Sequence, residues 1–252
     1  MAGAGFAGKV AIVTGGTRGL GRAIAGRLAD CGASVVVCAR SRPDDLPEAL
    51  GFECVDVRDA QAVQAFVDGV AEKHGGLDIV VNNAGGSPEA DAASASPRFA
   101  DAIVGLNLLA PYYVALAAHP HLTARGGGAV INIASVSGIR PSPGTALYGA
   151  AKAGLLNLTK SLAQEWGRDA IRVNAIIVGL AETEDTAATY GGKDAQARVA
   201  ASLPLGRMAQ GEDVAKAVEF LAGDASGYVS GAWLNVDGGG ERPLFIDLVK
   251  GG

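Results

Sequence analysis

The chain has 252 residues, of which 49% are hydrophobic and 19% are charged, a balance typical of a compact protein with a large core. Its formal net charge of −5 argues against a nucleic-acid-binding surface, and no uninterrupted apolar run approaches the roughly 18 residues of a membrane helix. Three scattered cysteines, three histidines and an N-terminus without a signal-peptide pattern lead us to expect one cytoplasmic domain over residues 1–252, without disulfides or a metal site.

The first elements along the chain are a strand, a glycine-rich turn and a helix. Residues 10–14 are apolar and rich in β-branched side chains, residues 15–21 contain four glycines, and a helical apolar stripe and a second strand at 34–38 follow. Glycines let a backbone approach a pyrophosphate closely, and a helix N-terminus offers free N–H groups to it. A tight turn without a ligand is the alternative, but the glycines exceed what one turn needs. The pattern predicts dinucleotide binding.

Strands and helices continue to alternate to the end of the chain. A helix is predicted from Ser96 to about residue 118, where His119-Pro120-His121 indicates its exit, and the polar, weakly periodic region 184–208 is typical of a mobile lid. Alternation of this kind predicts a doubly wound, mostly parallel α/β sheet with its ligand at the carboxyl ends of the strands. The further strands are predicted at residues 52–57, 77–81, 129–133, 171–177 and 233–236.

Tyr148 and Lys152 stand four residues apart at the start of a strongly helical pattern. This spacing places both side chains on one helix face, one turn apart. An ammonium beside a phenol favours the phenolate, so we expect Lys152 to lower the pKa of Tyr148 from its ordinary value of about 10. A phenol tuned in this way can exchange a proton with a substrate oxygen. Taken alone, the pair also fits a helix with two ordinary surface residues.

Several motifs occur together in a fixed order, and with them the chain resembles the short-chain dehydrogenase/reductase family in its single-domain, 3-oxoacyl reductase-like branch. The resemblance covers nearly the whole chain. One departure is Val178, where the family usually has a proline before Gly179, so the turn loses a fixed φ angle. The motifs are Thr14-Gly15-x-x-x-Gly19-x-Gly21, Asn82-Asn83-Ala84-Gly85, Asn107, Ser135, Tyr148-x-x-x-Lys152, and Asn174 with Gly179 and Thr183.

The resemblance implies a Rossmann fold and four catalytic residues. Tyr148 would exchange the proton with the carbonyl or alcohol oxygen, and Ser135 would hydrogen-bond that oxygen. Lys152 would depress the pKa of Tyr148 and bond the nicotinamide ribose, and Asn107 would hold a water that relays protons from Lys152. The implied cofactor-binding residues are Gly15, Thr17, Arg18, Gly19, Leu20, Gly21, Arg40, Asp56, Val57, Asn83, Ala84, Gly85, Tyr148, Lys152, Gly179, Ala181 and Thr183.

The choice between the two nicotinamide cofactors depends on charge after the second strand. An acidic residue there would bond the ribose hydroxyls of NAD and repel a 2′-phosphate. This chain has Ala39 followed by Arg40, and Arg18 lies in the glycine turn. Two guanidinium groups near one ribose suit a phosphate. We therefore expect NADP as cofactor, with NAD as the alternative.

The sequence leaves the substrate open. A hydride-transferring oxidoreductase would act on a secondary alcohol/ketone pair, either a 3-oxoacyl thioester or an alicyclic, steroid-like ketone. The alternatives are a non-enzymatic NADP-binding scaffold or sensor, and a family isomerase or dehydratase, which would need an added domain. The resemblance also implies a homotetramer. The apolar tail, residues 241–252, predicts packing on a neighbouring subunit or at the edge of the active site.

Overall fold

In the computed structural model, which describes residues 5–243 together with Phe245 and Val249, seven strands form one parallel sheet in the order β3-β2-β1-β4-β5-β6-β7. The strands are β1 (Val10–Thr14), β2 (Ser34–Ala39), β3 (Gly51–Cys54), β4 (Ile79–Asn82), β5 (Gly128–Ser135), β6 (Ile171–Val178) and β7 (Trp233–Val236). The helices are α1 (Gly19–Asp30), α2 (Ala60–His74), α3 (Pro97–Val104), α4 (Ala110–Ala124), α5 (Ala146–Trp166), α6 (Thr186–Tyr190), α7 (Lys193–Ser202) and α8 (Gly211–Ala222).

Helices cover both faces of the sheet, as the apolar strands require. Along the strands β1, β4 and β5, alternate side chains point to opposite faces, and both sets are buried. On one face, Ile24 of α1 and Val218 of α8 pack in one core cluster with Val13 of β1. On the other, α2, α4 and α5 pack over Ile12 and its neighbours. The predicted doubly wound α/β fold is confirmed.

The strand order reverses at β1. From β1 the chain first moves outward to β2 and β3, and then crosses to β4 on the other side of β1. The crevice beyond the carboxyl ends of β1 and β4 is therefore the topological switch point, where open α/β sheets bind ligands. Thr14 ends β1, Asn82 ends β4, and Ser135 ends β5. The sequence motifs that follow these strands meet at this edge.

The predicted helix exit at His119-Pro120-His121 is wrong. The helix runs to Ala124, with Pro120 inside it. A proline at this position has no N–H to donate to the carbonyl of Leu116. Leu116 lies on an exposed face, so water can donate a hydrogen bond to that carbonyl instead. The histidines on either side are held by carboxylates, with His119 Nε2 2.9 Å from Asp169 Oδ2 and His121 Nε2 2.6 Å from Asp68 Oδ1.

The continuous helix over residues 97–124 is, among the residues that the structure describes, the one helix long and apolar enough by composition to cross a membrane. Its residues Ala110, Val114, Ala118 and Leu122 are buried against the sheet. This side of the helix is therefore part of the protein core.

Two further predictions differ from the structure at their ends. Strand β3 stops at Cys54, three residues before the predicted end, because β2 offers partners only up to Ala39. The region 184–208 contains two short helices, α6 and α7, neither of which has a buried residue, although Leu203 and Met208 after them are buried. Its role as a lid stays a prediction. The tail of residues 241–252 lies mostly outside the described residues, although Phe245 and Val249 have exposed side chains.

Candidate active site

The glycine turn between β1 and α1 requires glycine at three of its positions, 15, 19 and 21. Gly15 and Gly19 have positive φ angles of 62° and 52°, which side chains disfavour. At Gly21, a Cβ atom would overlap with the carbonyl oxygen of Gly15 and with Asn83 Nδ2. The turn is therefore packed directly against the chain segment that follows β4.

Thr14 and Asn83 fix that packing through four hydrogen bonds. Thr14 Oγ1 accepts from the backbone N–H groups of Asn83 and Ala84, both at 3.0 Å. Asn83 Nδ2 donates to the carbonyl oxygens of Thr14, at 2.9 Å, and Gly15, at 3.1 Å. The Asn83 side chain thus orients the glycine turn. The predicted contact of the segment after β4 with a cofactor would therefore be made by the backbone of that segment and by Ala84.

The N-terminus of α1 already binds an oxyanion. The backbone N–H of Gly19 donates to Glu184 Oε1 at 3.0 Å, and this bond is the main reason that the pKa of Glu184 lies below its usual value. Next to it, Arg18 forms an ion pair with Asp185 at 3.0 Å. A carboxylate in this position is direct evidence of chemistry suited to a pyrophosphate. Sequence reasoning missed Glu184, which is 165 residues away from its partner.

Ser135, Tyr148 and Lys152 converge where β5 ends and α5 begins. Ser135 shares a hydrogen bond with the Tyr148 phenol and accepts from the backbone N–H of Ser137 at 3.2 Å. The Lys152 ammonium is buried and donates to the carbonyl oxygen of Ile133 at 2.7 Å. Its Nζ atom lies 5.6 Å from the centre of the Tyr148 ring.

The expected effect of Lys152 on the pKa of Tyr148 is absent from this structure of the chain alone. The pKa of Tyr148 is raised, first because the phenol is desolvated by burial; the hydrogen bond from Ser135 opposes this shift, and the neighbouring Tyr190 adds to it. Burial also lowers the pKa of Lys152 to about 8, because it disfavours an ammonium. The simple prediction from the Tyr–Lys spacing is therefore wrong here: burial raises the pKa of Tyr148, and Lys152 is not among the groups that shift it.

Asn107 lies in a π-helical turn, residues 105–109, between α3 and α4. Its Oδ1 accepts from the backbone N–H of Gly86 at 2.9 Å, and its Nδ2 donates to the carbonyl oxygens of Gly86, at 2.9 Å, and Ile103, at 3.0 Å. A Cβ on Gly85 would lie 2.8 Å from Asn107 Oδ1 and 3.2 Å from Lys152 Nζ. The Asn107 side chain therefore holds the loop that passes over Lys152, and the relay water stays a prediction.

The basic residues beyond β2 and β3 surround Asp56. Arg58 binds Asp56 through two nitrogens, Nε and Nη2, and this hydrogen bonding lowers the pKa of Asp56 to about 2. Within residues 5–243, the Arg40 guanidinium forms no ion pair. Arg58 was not predicted, although it directly follows the Asp56-Val57 pair in the sequence.

One cavity of about 660 Å³ joins the glycine turn to the Tyr148 region. Of the predicted site residues, Asn107 alone is not in its lining, and it contacts the lining through Gly86. Arg58, Arg140 and Tyr190 also line the cavity and were missed. The predicted residues in the lining are Gly15, Thr17, Arg18, Gly19, Leu20, Gly21, Arg40, Asp56, Val57, Asn83, Ala84, Gly85, Ser135, Tyr148, Lys152, Gly179, Ala181 and Thr183.

The chain is similar to known enzymes over most of its length. Residues 15–241 match the family model described as enoyl-(acyl carrier protein) reductase. The chain is 40% identical to 4-formylbenzenesulfonate dehydrogenase of Comamonas testosteroni, covering 92% of this chain and 97% of that protein. It is 38% identical to cis-4-hydroxycyclohexanecarboxylate dehydrogenase of Sinomonas cyclohexanicum, covering 93% and 97%.

Among solved structures, the ligand-free aldohexose dehydrogenase of Thermoplasma acidophilum superposes with a TM-score of 0.88 at 28% identity, covering 93% of this chain and 94% of that one. The matches extend across the glycine turn, the Ser135 strand and the Tyr148 helix. They identify an oxidoreductase that uses a nicotinamide cofactor on a small-molecule alcohol or carbonyl compound. The chain belongs to the short-chain dehydrogenase/reductase family, as an NAD(P)-dependent alcohol dehydrogenase/carbonyl reductase.

Proposed function

We propose that this enzyme interconverts a secondary alcohol and a ketone on an alicyclic ring, with NADP(H) as its cofactor and with Ser135, Tyr148 and Lys152 as catalytic residues. The observation that carries the proposal is the convergence of these three side chains in the cavity that also contains the glycine turn. Hydride donor and proton donor would then meet at one substrate carbonyl.

A nicotinamide cofactor, when bound, would supply the hydride chemistry, and residues of the protein transfer the proton. Tyr148 holds a proton at neutral pH, because its pKa is raised, and gives it to the carbonyl oxygen during reduction. Ser135, already bonded to the phenol, bonds the same oxygen as charge develops on it. Lys152 is mostly charged at neutral pH, with a pKa of about 8, and its ammonium stabilises the tyrosinate that forms.

Asn107 acts as a positioning residue in this proposal. It clamps Gly86 on both its N–H and its carbonyl, so the loop that passes over Lys152 cannot shift. A water-mediated path from Lys152 toward solvent, next to this loop, would resupply the proton.

Arg40 supports NADP over NAD as the cofactor. It lies at the end of β2 without a competing ion pair inside residues 5–243, and a guanidinium fits a ribose phosphate. We expect Arg40→Asp to lower the ratio of kcat/KM for NADPH to that for NADH by about tenfold or more. The substitution removes a charged hydrogen bond to the ribose phosphate and adds a carboxylate that repels it. Steady-state kinetics with both cofactors measure this ratio.

Arg42→Asp is the matched control for Arg40→Asp. This substitution changes the charge by the same amount, two residues later in the sequence. The central carbon of the Arg42 guanidinium lies 5.8 Å from the centre of the Phe52 ring, and Arg42 is not part of the cavity lining. The control should leave the cofactor ratio within about twofold, since exposed charges act weakly at a distance. A strong preference of the unchanged enzyme for NADH would contradict the Arg40 argument.

Glu184 would compete with the cofactor for the N-terminus of α1. Its carboxylate occupies the Gly19 N–H, and its charge repels a pyrophosphate. We expect Glu184→Gln to tighten binding of NADPH about three- to tenfold, which matches the size of charge effects at helix ends. Fluorescence titration measures this affinity, with Glu182→Gln, an exposed residue outside the cavity lining, as control. Weaker binding in Glu184→Gln would show that the carboxylate assists the cofactor instead.

The similar enzymes support a ring substrate. The names of both dehydrogenases describe a six-membered ring that carries the reacting group and an acid group, whereas the family model is named for acyl-carrier-protein chemistry. A cofactor-linked assay with cyclic ketones, 3-oxoacyl thioesters and steroid ketones tests the proposal. Turnover of cyclic ketones should exceed that of the thioesters. Exclusive use of a 3-oxoacyl thioester would overturn the ring proposal and leave the hydride chemistry intact.

A homotetramer is part of the proposal. Exposed apolar side chains support assembly: Leu109, Tyr112 and Leu116 recur at helical spacing around α4, and Phe220, Tyr228 and Trp233 are also exposed. Exposed apolar clusters of this kind mark contact surfaces between subunits.

A further inference from the structure

Arg140 is the one arginine in the cavity lining that lies on the Tyr148 side and has no place in the cofactor proposal. It follows β5 and the short helical turn after it, and its side chain is more than one-third exposed. The other three arginines of the lining, Arg18, Arg40 and Arg58, follow β1, β2 and β3. A guanidinium in this part of the cavity attracts an anionic group.

Glu241 now supplies that partner. Arg140 Nη2 donates to Glu241 Oε1 at 2.8 Å, and Arg140 Nε pairs with Glu241 Oε2. Arg140 Nη1 donates to the carbonyl oxygen of Pro141 at 3.1 Å. The two parallel bonds are the fork geometry in which a guanidinium binds any planar carboxylate. Because both side chains are more than one-third exposed, solvent reaches the pair, and another anion can replace Glu241 on the guanidinium.

Tyr190 connects this ion pair with the reacting centre. Burial raises the pKa of Tyr190, the N–H of Ala181 opposes that shift, and among the charged groups Glu241 raises the pKa while Arg140 lowers it. Tyr190 in turn raises the pKa of Tyr148. Such effects act over short distances. Arg140, Tyr190 and Tyr148 also line the same cavity, so one molecule bound in that cavity has access to both Arg140 and Tyr148.

We propose that Arg140 binds an oxyanion group of the substrate, a carboxylate or sulfonate, while the carbonyl of the same molecule faces Tyr148. In the enzyme without substrate, Glu241 occupies the place of that group and returns to solvent when the substrate binds. This inference rests on the proposed ketone reductase function, and it assigns the recognition of charge to one residue. The alternative is that the Arg140–Glu241 pair only fastens the chain after β7.

A pair of substrates that differ only in charge tests the proposal. We would measure kcat/KM with NADPH for 4-oxocyclohexanecarboxylate and for its methyl ester, using the full chain and the Arg140→Gln and Glu241→Gln variants. The unchanged enzyme should prefer the acid. Arg140→Gln should reduce the acid-to-ester ratio by about tenfold or more, the effect of losing a charged hydrogen-bonded partner. Glu241→Gln should raise the ratio several-fold through a lower KM for the acid.

Arg98→Gln is the matched control, since Arg98 is an exposed arginine of α3 outside the cavity lining, and it should leave the acid-to-ester ratio unchanged. Binding of benzoate and benzamide by calorimetry, with NADPH present, provides a measurement independent of turnover. Weaker benzoate binding in Arg140→Gln supports the anion site even where no ketone is reduced. Equal benzoate affinity in the two proteins, absence of benzoate binding by the unchanged enzyme, or an equal loss of activity on acid and ester in Arg140→Gln, would overturn it.

Discussion

Replacing Tyr148 by Phe should lower kcat for ketone reduction by about a thousandfold, the middle of the range for general acid catalysis. The change removes one oxygen atom and leaves the ring in place. Ser135 would keep its bond from the N–H of Ser137, so the end of β5 should stay as it is. The Kd for NADPH, measured by fluorescence, should change by no more than about twofold, because cofactor affinity depends on many other contacts.

Tyr190→Phe is the matched control for Tyr148→Phe. It also removes a phenol oxygen from the cavity lining, one that accepts a hydrogen bond from the N–H of Ala181. Because Tyr190 transfers no proton in our proposal, its loss should lower kcat by less than about tenfold, as for a lost neutral hydrogen bond. Similar activities of Tyr148→Phe and the unchanged enzyme would contradict the mechanism.

The raised pKa of Tyr148 also determines the pH dependence that separates the two directions of the reaction. Reduction needs the protonated phenol, which dominates at neutral pH. Oxidation of the alcohol needs the tyrosinate. From about pH 7 to about pH 10, the ordinary pKa of tyrosine, kcat/KM for oxidation should therefore rise. Over the same interval kcat/KM for reduction should stay nearly constant and should fall only at higher pH, because the raised pKa keeps the phenol protonated. If both pH dependences of kcat/KM are absent in Tyr148→Phe, they originate from the titration of Tyr148.

The sequence predicted the elements whose signals are local. Strands β1 and β7 agree with the predicted bounds residue for residue, because each is a short run bounded by glycine or polar residues. The Ser96 cap was also recognisable, and its Oγ accepts from the N–H of Phe99 at 3.2 Å. The end of β3 was not recognisable from the sequence, because it depends on the residue at which the neighbouring strand β2 ceases to provide hydrogen-bond partners.

The contacts that sequence reasoning missed join distant parts of the chain. Glu184 reaches Gly19 over 165 residues, and Glu241 reaches Arg140 over 101. Neither carboxylate belongs to a motif with a fixed spacing, so no local pattern could have indicated them. Motif residues, in turn, have structural tasks that a motif does not disclose: Asn83 holds the glycine turn, and Asn107 holds Gly86.

Burial was the decisive quantity that the sequence could not supply. The spacing of Tyr148 and Lys152 is correct, and both lie in the first two turns of α5. The sign of the pKa shift at Tyr148 nevertheless depends on desolvation, which follows from everything packed around the site. The same burial lowers the pKa of Lys152. Lys152 is therefore a residue that destabilises the fold for the sake of the reaction.

Replacing Lys152 by Met should strongly lower activity and stabilise the fold at neutral pH. Burial lowers the pKa of Lys152 from 10.5 to about 8, which corresponds to about 3 kcal/mol of lost unfolding free energy. Met removes this penalty but leaves the Ile133 carbonyl without its donor, at a cost of about 1–2 kcal/mol. The net gain of about 1–2 kcal/mol should raise Tm by about 2–6 °C, while kcat/KM should fall by about a thousandfold.

The pH dependence of this gain identifies its cause. Below pH 8 the lysine is charged in both the folded and the unfolded chain, so the burial penalty is present in full. Between about pH 8 and pH 10.5 the unfolded chain binds a proton that the folded chain does not. The unchanged enzyme therefore gains stability relative to Lys152→Met as the pH rises, and the difference in Tm should shrink over this interval and change sign at its upper end.

Lys73→Met, at an exposed lysine of α2, is the control and should alter the unfolding free energy by less than about 0.5 kcal/mol. Thermal unfolding at a series of pH values measures both variants against the unchanged enzyme. If Lys152→Met were less stable at pH 7, the contact to Ile133 would outweigh the desolvation of the ammonium. Lys152 would then be a structural residue as well as a catalytic one, and the balance argued here between burial and hydrogen bonding would be wrong.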